Sequence, residues 1–199
     1  MLGTLKNPTF RHLFAAQIVA LVGTGLATVA LGLLAWKLAG DNAGAVLGTA
    51  LAIKMVAYVT LAPVAAAIAE RLPRRAFLVA LDLIRAGVIA CLPFVDQVWQ
   101  IYVLIFFLQA ASAGFTPAFQ AVIPDVLKDE DDYTNALSLL RLAEDLEQLA
   151  SPMIAALLLT VVSFPVLFAG TVVGFVASAL LVVTARLPGR AQVEPGHFW

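Results

Sequence analysis

The stretch RLAEDLEQLASP, residues 141–152, is what the rest of this chain has to accommodate. It lies inside an apolar segment at about 135–159, which at about 1.5 Å per residue is long enough to cross the ~30 Å hydrocarbon core of a bilayer. An ionised side chain at the centre of such a helix costs roughly 2.5 to 3.5 kcal/mol. This segment carries Arg141, Glu144, Asp145 and Glu147. At about 100° per residue, Arg141, Glu144, Asp145, Gln148 and Pro152 share one face, with Glu147 and Ser151 on its shoulder. Leu139, Leu142, Leu146 and Leu149 fall mostly on the other sides. The charged face requires other helices, a water-filled cavity or a partner, and the remaining segments have to supply that environment.

Composition sets the class of those segments. The chain is 62% hydrophobic and 13% charged, against roughly 45 to 50% and 25% for a soluble domain. A helical, multi-pass membrane protein follows, with the lipid bilayer as its first partner. A net charge of −1 and a pI near 6.1 leave no basic stripe for phosphates, so nucleic acid is not an expected partner. One cysteine, Cys91, forms no internal disulfide. Lys6 and Arg11 precede an apolar run at 13–38, longer than a signal-peptide core, and Asp41 and Asn42 stand where small cleavage-site residues belong, so the run reads as an uncleaved first span.

Six spans are expected, at about 10–39, 46–69, 77–94, 100–123, 135–159 and 165–187, within a bundle covering 1–188. A polar tail at 189–199 follows. With the N-terminus inside, Lys6, Arg11, Arg71, Arg74, Arg75, Lys128, Arg186 and Arg190 all fall on the cytoplasmic side, and so do both termini. The acidic run at 129–132 reads as a solvated loop that caps the fifth span.

Polar residues inside the spans are grouped. Gln17, Thr24 and Thr28 share a face of the first span, and Gln109, Ser112, Thr116 and Gln120 a face of the fourth. A shift of 92 positions superposes Gln17 on Gln109, Thr24 on Thr116 and Thr28 on Gln120, which hints at a three-plus-three repeat. These side chains either line a cavity or join helices by hydrogen bonds. Lys54 lies on the second span, where it can snorkel or meet a carboxylate of the fifth. Asp82 and Arg85 on the third can satisfy each other as a structural intramembrane pair. Against Lys54, Arg85 and Arg141 stand Asp82, Glu144, Asp145 and Glu147, so one carboxylate lacks a basic partner. Such a group is expected to bind a proton reversibly or to hold a cation, with Arg141 tuning it. Otherwise all four carboxylates are tied into ion pairs between helices.

The residues AIAERLPRR, 67–75, resemble the Gly-x-x-x-Asp-Arg-x-Gly-Arg-Arg motif between the second and third helices of the major facilitator superfamily. Ala66 stands at the first glycine, Glu70 at the aspartate, Arg71 at the first arginine and Pro73 at the second glycine, with Arg74 and Arg75 as the closing basic pair. FTPAFQAVIPDVL at 115–127 and the following NAL at 135–137 are similar to the end of the fourth helix and the loop beyond it in efflux members. ASPMIAA at 150–156 sits where proton antiporters carry Gly-Pro-x-x-Gly-Gly, with Ser151 and Pro152 in the Gly-Pro place, a helix-bending element. The segment 103–114 lacks the basic residue that many members carry in the fourth helix, which moves the expected coupling site to the fifth. The wording of the whole chain looks most like the branch that includes bacterial nickel-resistance exporters.

The resemblance implies an all-α fold in which six transmembrane helices form one half of a twelve-helix transporter. Alternating access then needs a second six-helix unit, another copy or a missing C-terminal half. The implied function is proton-coupled export of a small drug-like compound or a divalent metal across a bacterial inner membrane. Glu144, Asp145, Glu147 and Arg141 are its coupling residues, Glu70, Arg71, Arg74 and Arg75 its cytoplasmic gate, and the tail resembles the start of the linker between halves. The competing expectation is a non-transporting membrane protein whose ion pairs are purely structural. No metal-ligand cluster, nucleophile with base, or phosphate-cradling loop points to an enzyme or a bound cofactor.

Overall fold

The computed structural model describes residues 3–69 and 72–185. Among these the fold is helical throughout. Helix α1, Pro8–Ala39, starts where the Asn7 side chain accepts the N–H groups of Thr9 and Phe10, with proline at the first helical position. It ends at Gly40, whose φ of 53° is strained for any residue with a Cβ. A single turn, Gly40–Asn42, leads straight into α2, Ala43–Ala69. Helix α3, Arg74–Cys91, follows Pro73, and α4, Val98–Gln120, opens with a reciprocal cap between Gln97 and Gln100. A short α5, Ile123–Val126, precedes α6, Glu130–Leu159, and α7, Phe164–Thr184.

The helix ends correct the sequence reading in three places. Helix α6 begins at Glu130, not near 135, because Asp129 caps the N–H groups of Asp131 and Asp132 and the acidic residues form the first turn. Carboxylates there face the positive end of the helix dipole, so the expected loop is helix. Helix α3 ends at Cys91, and the turn Leu92–Phe94 contains Pro93. Helix α4 stops at Gln120, and the expected end of the fourth span is part of the separate α5.

Among the described residues, Pro8–Ala65, Arg74–Phe94, Val98–Val126 and Phe164–Thr184 are long and apolar enough to cross a membrane. The first covers α1 and most of α2. Helix α6 is not among them, since its ionised residues lower its hydropathy. Exposed Val59, Val173 and Leu180, at 61 to 76% accessibility, give the outer surface the character of a lipid-facing wall.

Packing is ordered in depth. One apolar cluster joins Leu34, Ile89, Ile101, Ala155 and Phe168. A second joins Phe10, Leu78, Phe119, Leu139 and Val182. The chain reaches the two clusters in alternating order, so consecutive long helices run antiparallel. Between them lie Gln17 of α1, Asp82 and Arg85 of α3, Gln109 of α4, Ser178 of α7 and the charged part of α6. Helix α1 packs mainly on α7 and α6, α4 on α2 and α3, and α3 on α7. Exchanging α1 with α4, α2 with α6 and α3 with α7 returns the same set of principal pairs. Close approach of α1 to α7 depends on glycine, because a Cβ on Gly174 would meet the Val19 carbonyl and Gly23. There Thr171 donates a 2.8 Å bond to the Gly23 carbonyl.

Candidate functional site: a charged cavity at mid-depth

A cavity of about 430 Å³ opens at the level between the two clusters and extends along both, with Ile89 and Phe175 of the first and Phe115 of the second in its lining; the volume is within the range of sites that hold a drug-sized ligand. Gln17, Thr24 and Thr28 of α1 border it, as do Gln109, Ser112 and Thr116 of α4. The Thr116 hydroxyl meets the Tyr58 side chain of α2. Thr24 donates to the Ala20 carbonyl at 2.9 Å, Thr28 to Thr24 at 3.0 Å and Thr116 to Ser112 at 3.5 Å, all along their own helices. Interhelical bonds also come from Thr171 and Ser178, two residues that the sequence reading passed over.

Arg85 reaches the cavity from α3. It forms an ion pair with Asp82, and Ser178 of α7 donates to the other Asp82 oxygen at 2.8 Å. The guanidinium lies 4.0 Å from the ring centroid of Phe115 and 4.6 Å from that of Phe175, held between α4 and α7. A basic group thus stacks on α4 although α4 has none of its own in this region. The Arg85 Nε and the Gln17 Oε1 are buried without a hydrogen-bond partner among the described residues. Lys54 pairs with no carboxylate among those residues; its ammonium lies 6.0 Å from the Tyr58 ring, and both line the cavity.

Helix α6 supplies the acidic wall. Arg141 bonds Glu144 at 3.3 Å. Glu147 accepts a 2.8 Å bond from Ser151, and both Glu144 and Glu147 line the cavity. Asp145 does not; it is exposed outside the cavity. The lining of α6 runs through Arg141, Glu144, Glu147 and Gln148, so the working face is turned from the expected one, with Glu147 on it and Asp145 off it. Ser151 is buried against α1 at Gly25, whereas Pro152 is exposed and α6 continues through it.

Of the motif between α2 and α3, Glu70 and Arg71 lie outside the described residues. Arg74 forms an ion pair with Asp125 and donates to the Ala121 carbonyl at 2.6 Å, fastening α3 to the corner between α4 and α5. Arg75 donates at 2.5 Å to the Ala185 carbonyl at the end of α7. No group of three or more His, Cys, Asp or Glu side chains able to share a metal ion occurs among the described residues. Sequence reasoning also missed the aromatic lining, Tyr58, Phe115 and Phe175. Only the i, i+4 spacing of Tyr58 from Lys54 offered a signal for it.

Residues 13–197 match the family model of the Major Facilitator Superfamily. The chain belongs to that superfamily. It is similar to macrolide efflux protein A of Streptococcus pyogenes, 26% identical over 184 residues that cover 90% of this chain and 45% of that protein. To macrolide efflux protein A of Enterococcus faecalis it is 26% identical over 152 residues, 71% of this chain and 47% of that one. The chain spans about half the length of these curated relatives, which are named for a macrolide and not for nickel. No solved structure matches it.

Proposed function

We propose that this chain is the six-helix half of an efflux transporter, built as a three-plus-three repeat, whose cavity takes an amphipathic organic compound and exchanges it for protons. The observation that carries this reading is the polar and ionic level between two apolar clusters, open as a cavity and walled by the related faces of α1 and α4. A purely structural bundle gains nothing from keeping Glu147 and Lys54 beside a cavity without ionic partners among the described residues, since each costs desolvation energy in a membrane. The structural reading keeps its hold on one feature, the buried Asp82–Arg85 pair.

The exchange symmetry of the helix contacts supports the repeat. A second six-helix unit, either another copy or a C-terminal half, fits the half-length match to the relatives. It also fits the exposed stripe Leu142, Leu146, Leu149, Met153 and Leu157 on α6. Asn7, Arg74, Arg75 and Asp125 are linked at one end of the bundle, where Lys6, Arg11 and Lys128 also fall. That end is the cytoplasmic one in a bacterial plasma membrane, with both termini on it. Arg74 and Arg75 belong to the gate there. Organic cargo is favoured over a divalent metal because the cavity combines aromatic rings with few hard ligands.

The coupling residues are Glu144 and Glu147, with Arg141 tuning Glu144 through their ion pair. Proteoliposomes loaded with a radiolabelled macrolide and energised by a pH gradient test this directly. Glu144→Gln and Glu147→Gln are each expected to lower flux roughly tenfold or more, while Asp145→Asn keeps it. Wild-type flux in all three variants removes the proton-carrier role.

A further inference from the structure

The three carboxylates of α6 are not equivalent. Glu144 is already neutralised by Arg141 at 3.3 Å, and Asp145 is outside the cavity. Glu147 is held differently. Its Oε1 accepts the Ser151 hydroxyl at 2.8 Å, and Ser151 is 4% exposed at the seam with α1. At that seam both groups press on Gly25, where an added Cβ would collide with the Ser151 Oγ, the Ser151 Cβ and the Glu147 Oε1. A side chain larger than hydrogen at position 25 therefore displaces the carboxylate. One oxygen of Glu147 is thus fixed by a neighbour with no charge, and no basic side chain within 4 Å neutralises the group among the described residues. The residue lines the same cavity as Tyr58, Phe115 and Phe175.

A fixed, unneutralised carboxylate in a cavity that also carries aromatic rings is complementary to a cation on an apolar body. We infer that Glu147 recognises a protonated amine on the transported compound, and that Ser151 and Gly25 are the residues that position its carboxylate. This rests on the proposed function, because it assumes that the cavity is the site of an organic cargo. It adds a substrate class, amphipathic amines, and a selectivity element that the coupling role alone does not require.

The test uses the 199-residue chain in lipid nanodiscs and two probes. One is a radiolabelled macrolide with a protonated dimethylamino sugar; the other is its N-demethyl, N-acetyl derivative, which is uncharged. The wild-type chain is expected to bind the amine about tenfold more tightly than the neutral derivative. Glu147→Gln is expected to bring that ratio to about one, and its thermal unfolding midpoint and size-exclusion profile report whether the variant is folded. Ser151→Ala and Gly25→Ala are expected to lower the ratio, a readout that a purely structural role does not move. They decide the question if Glu147→Gln fails to fold. A wild-type ratio near one, or a wild-type ratio retained in Glu147→Gln, overturns the inference and leaves the organic-cargo reading standing. Binding of neither probe overturns both.

Discussion

Asp82 and Arg85 show how a charged pair survives in this interior: each has more than the other as a partner. Asp82 is fully buried and also accepts from Ser178, while Arg85 stacks between two rings. Removing one charge leaves the other buried and uncompensated, so Asp82→Asn is expected to cost about 3 to 5 kcal/mol, read as a lowered unfolding midpoint in detergent. Glycine offers a sharper contrast. Gly25→Ala forces Ser151 and Glu147 to move and is expected to destabilise by about 1 to 3 kcal/mol. At Gly32 nothing lies within 4 Å of an added Cβ, so Gly32→Ala is expected to stabilise α1 by about 0.5 to 1 kcal/mol. Thermal unfolding of the two variants side by side checks the difference. At this scale the polar lining was legible, since Gln17, Thr24, Gln109 and Thr116 stand out against apolar surroundings. Phe115 and Phe175 were not, because an aromatic in an apolar span gives no contrast.

Helices were legible wherever an apolar run met a polar or glycine stop, as at Asn7 and Gly40. Their ends were misread where polar residues serve as the helix start. The acidic residues before α6 look like loop until Asp129 is seen to cap the chain behind it. Asp129→Ala is expected to cost about 1 kcal/mol, and hydrogen exchange should rise over the first turn of α6 with the rest of the helix unaffected. The face of α6 was misread as well, because an ideal 100° wheel ignores which neighbour each side chain meets; α1 at Gly25 draws Ser151 and Glu147 inward. At the opposite extreme of burden is Arg74–Asp125, a partly exposed pair. A double-mutant cycle on Arg74→Gln and Asp125→Asn is expected to give a coupling of about 0.2 to 1 kcal/mol that falls with added salt.

The molecule as a whole is two apolar clusters separated by a charged level, and its cavity opens at that level and reaches along both clusters. The helical membrane class was readable from hydropathy, since lipid admits few architectures; the number of spans was not, because the ionised residues of α6 lower its hydropathy. The arrangement of helices was not, because the pairing of α1 with α7 and of α4 with α2 joins residues far apart in sequence through surfaces of similar apolar character. What the account claims above all is that the level is an aqueous binding site and not packed interior. Cysteine labelling measures this directly: with Cys91 replaced by alanine, Thr24→Cys, Ser112→Cys and Leu180→Cys are treated in membranes with a membrane-impermeant maleimide, with and without a macrolide. The account predicts that the positions at 24 and 112 react and are protected by the macrolide, while position 180 on the outer wall stays unlabelled. Failure of both cavity positions to react in a folded chain would contradict it.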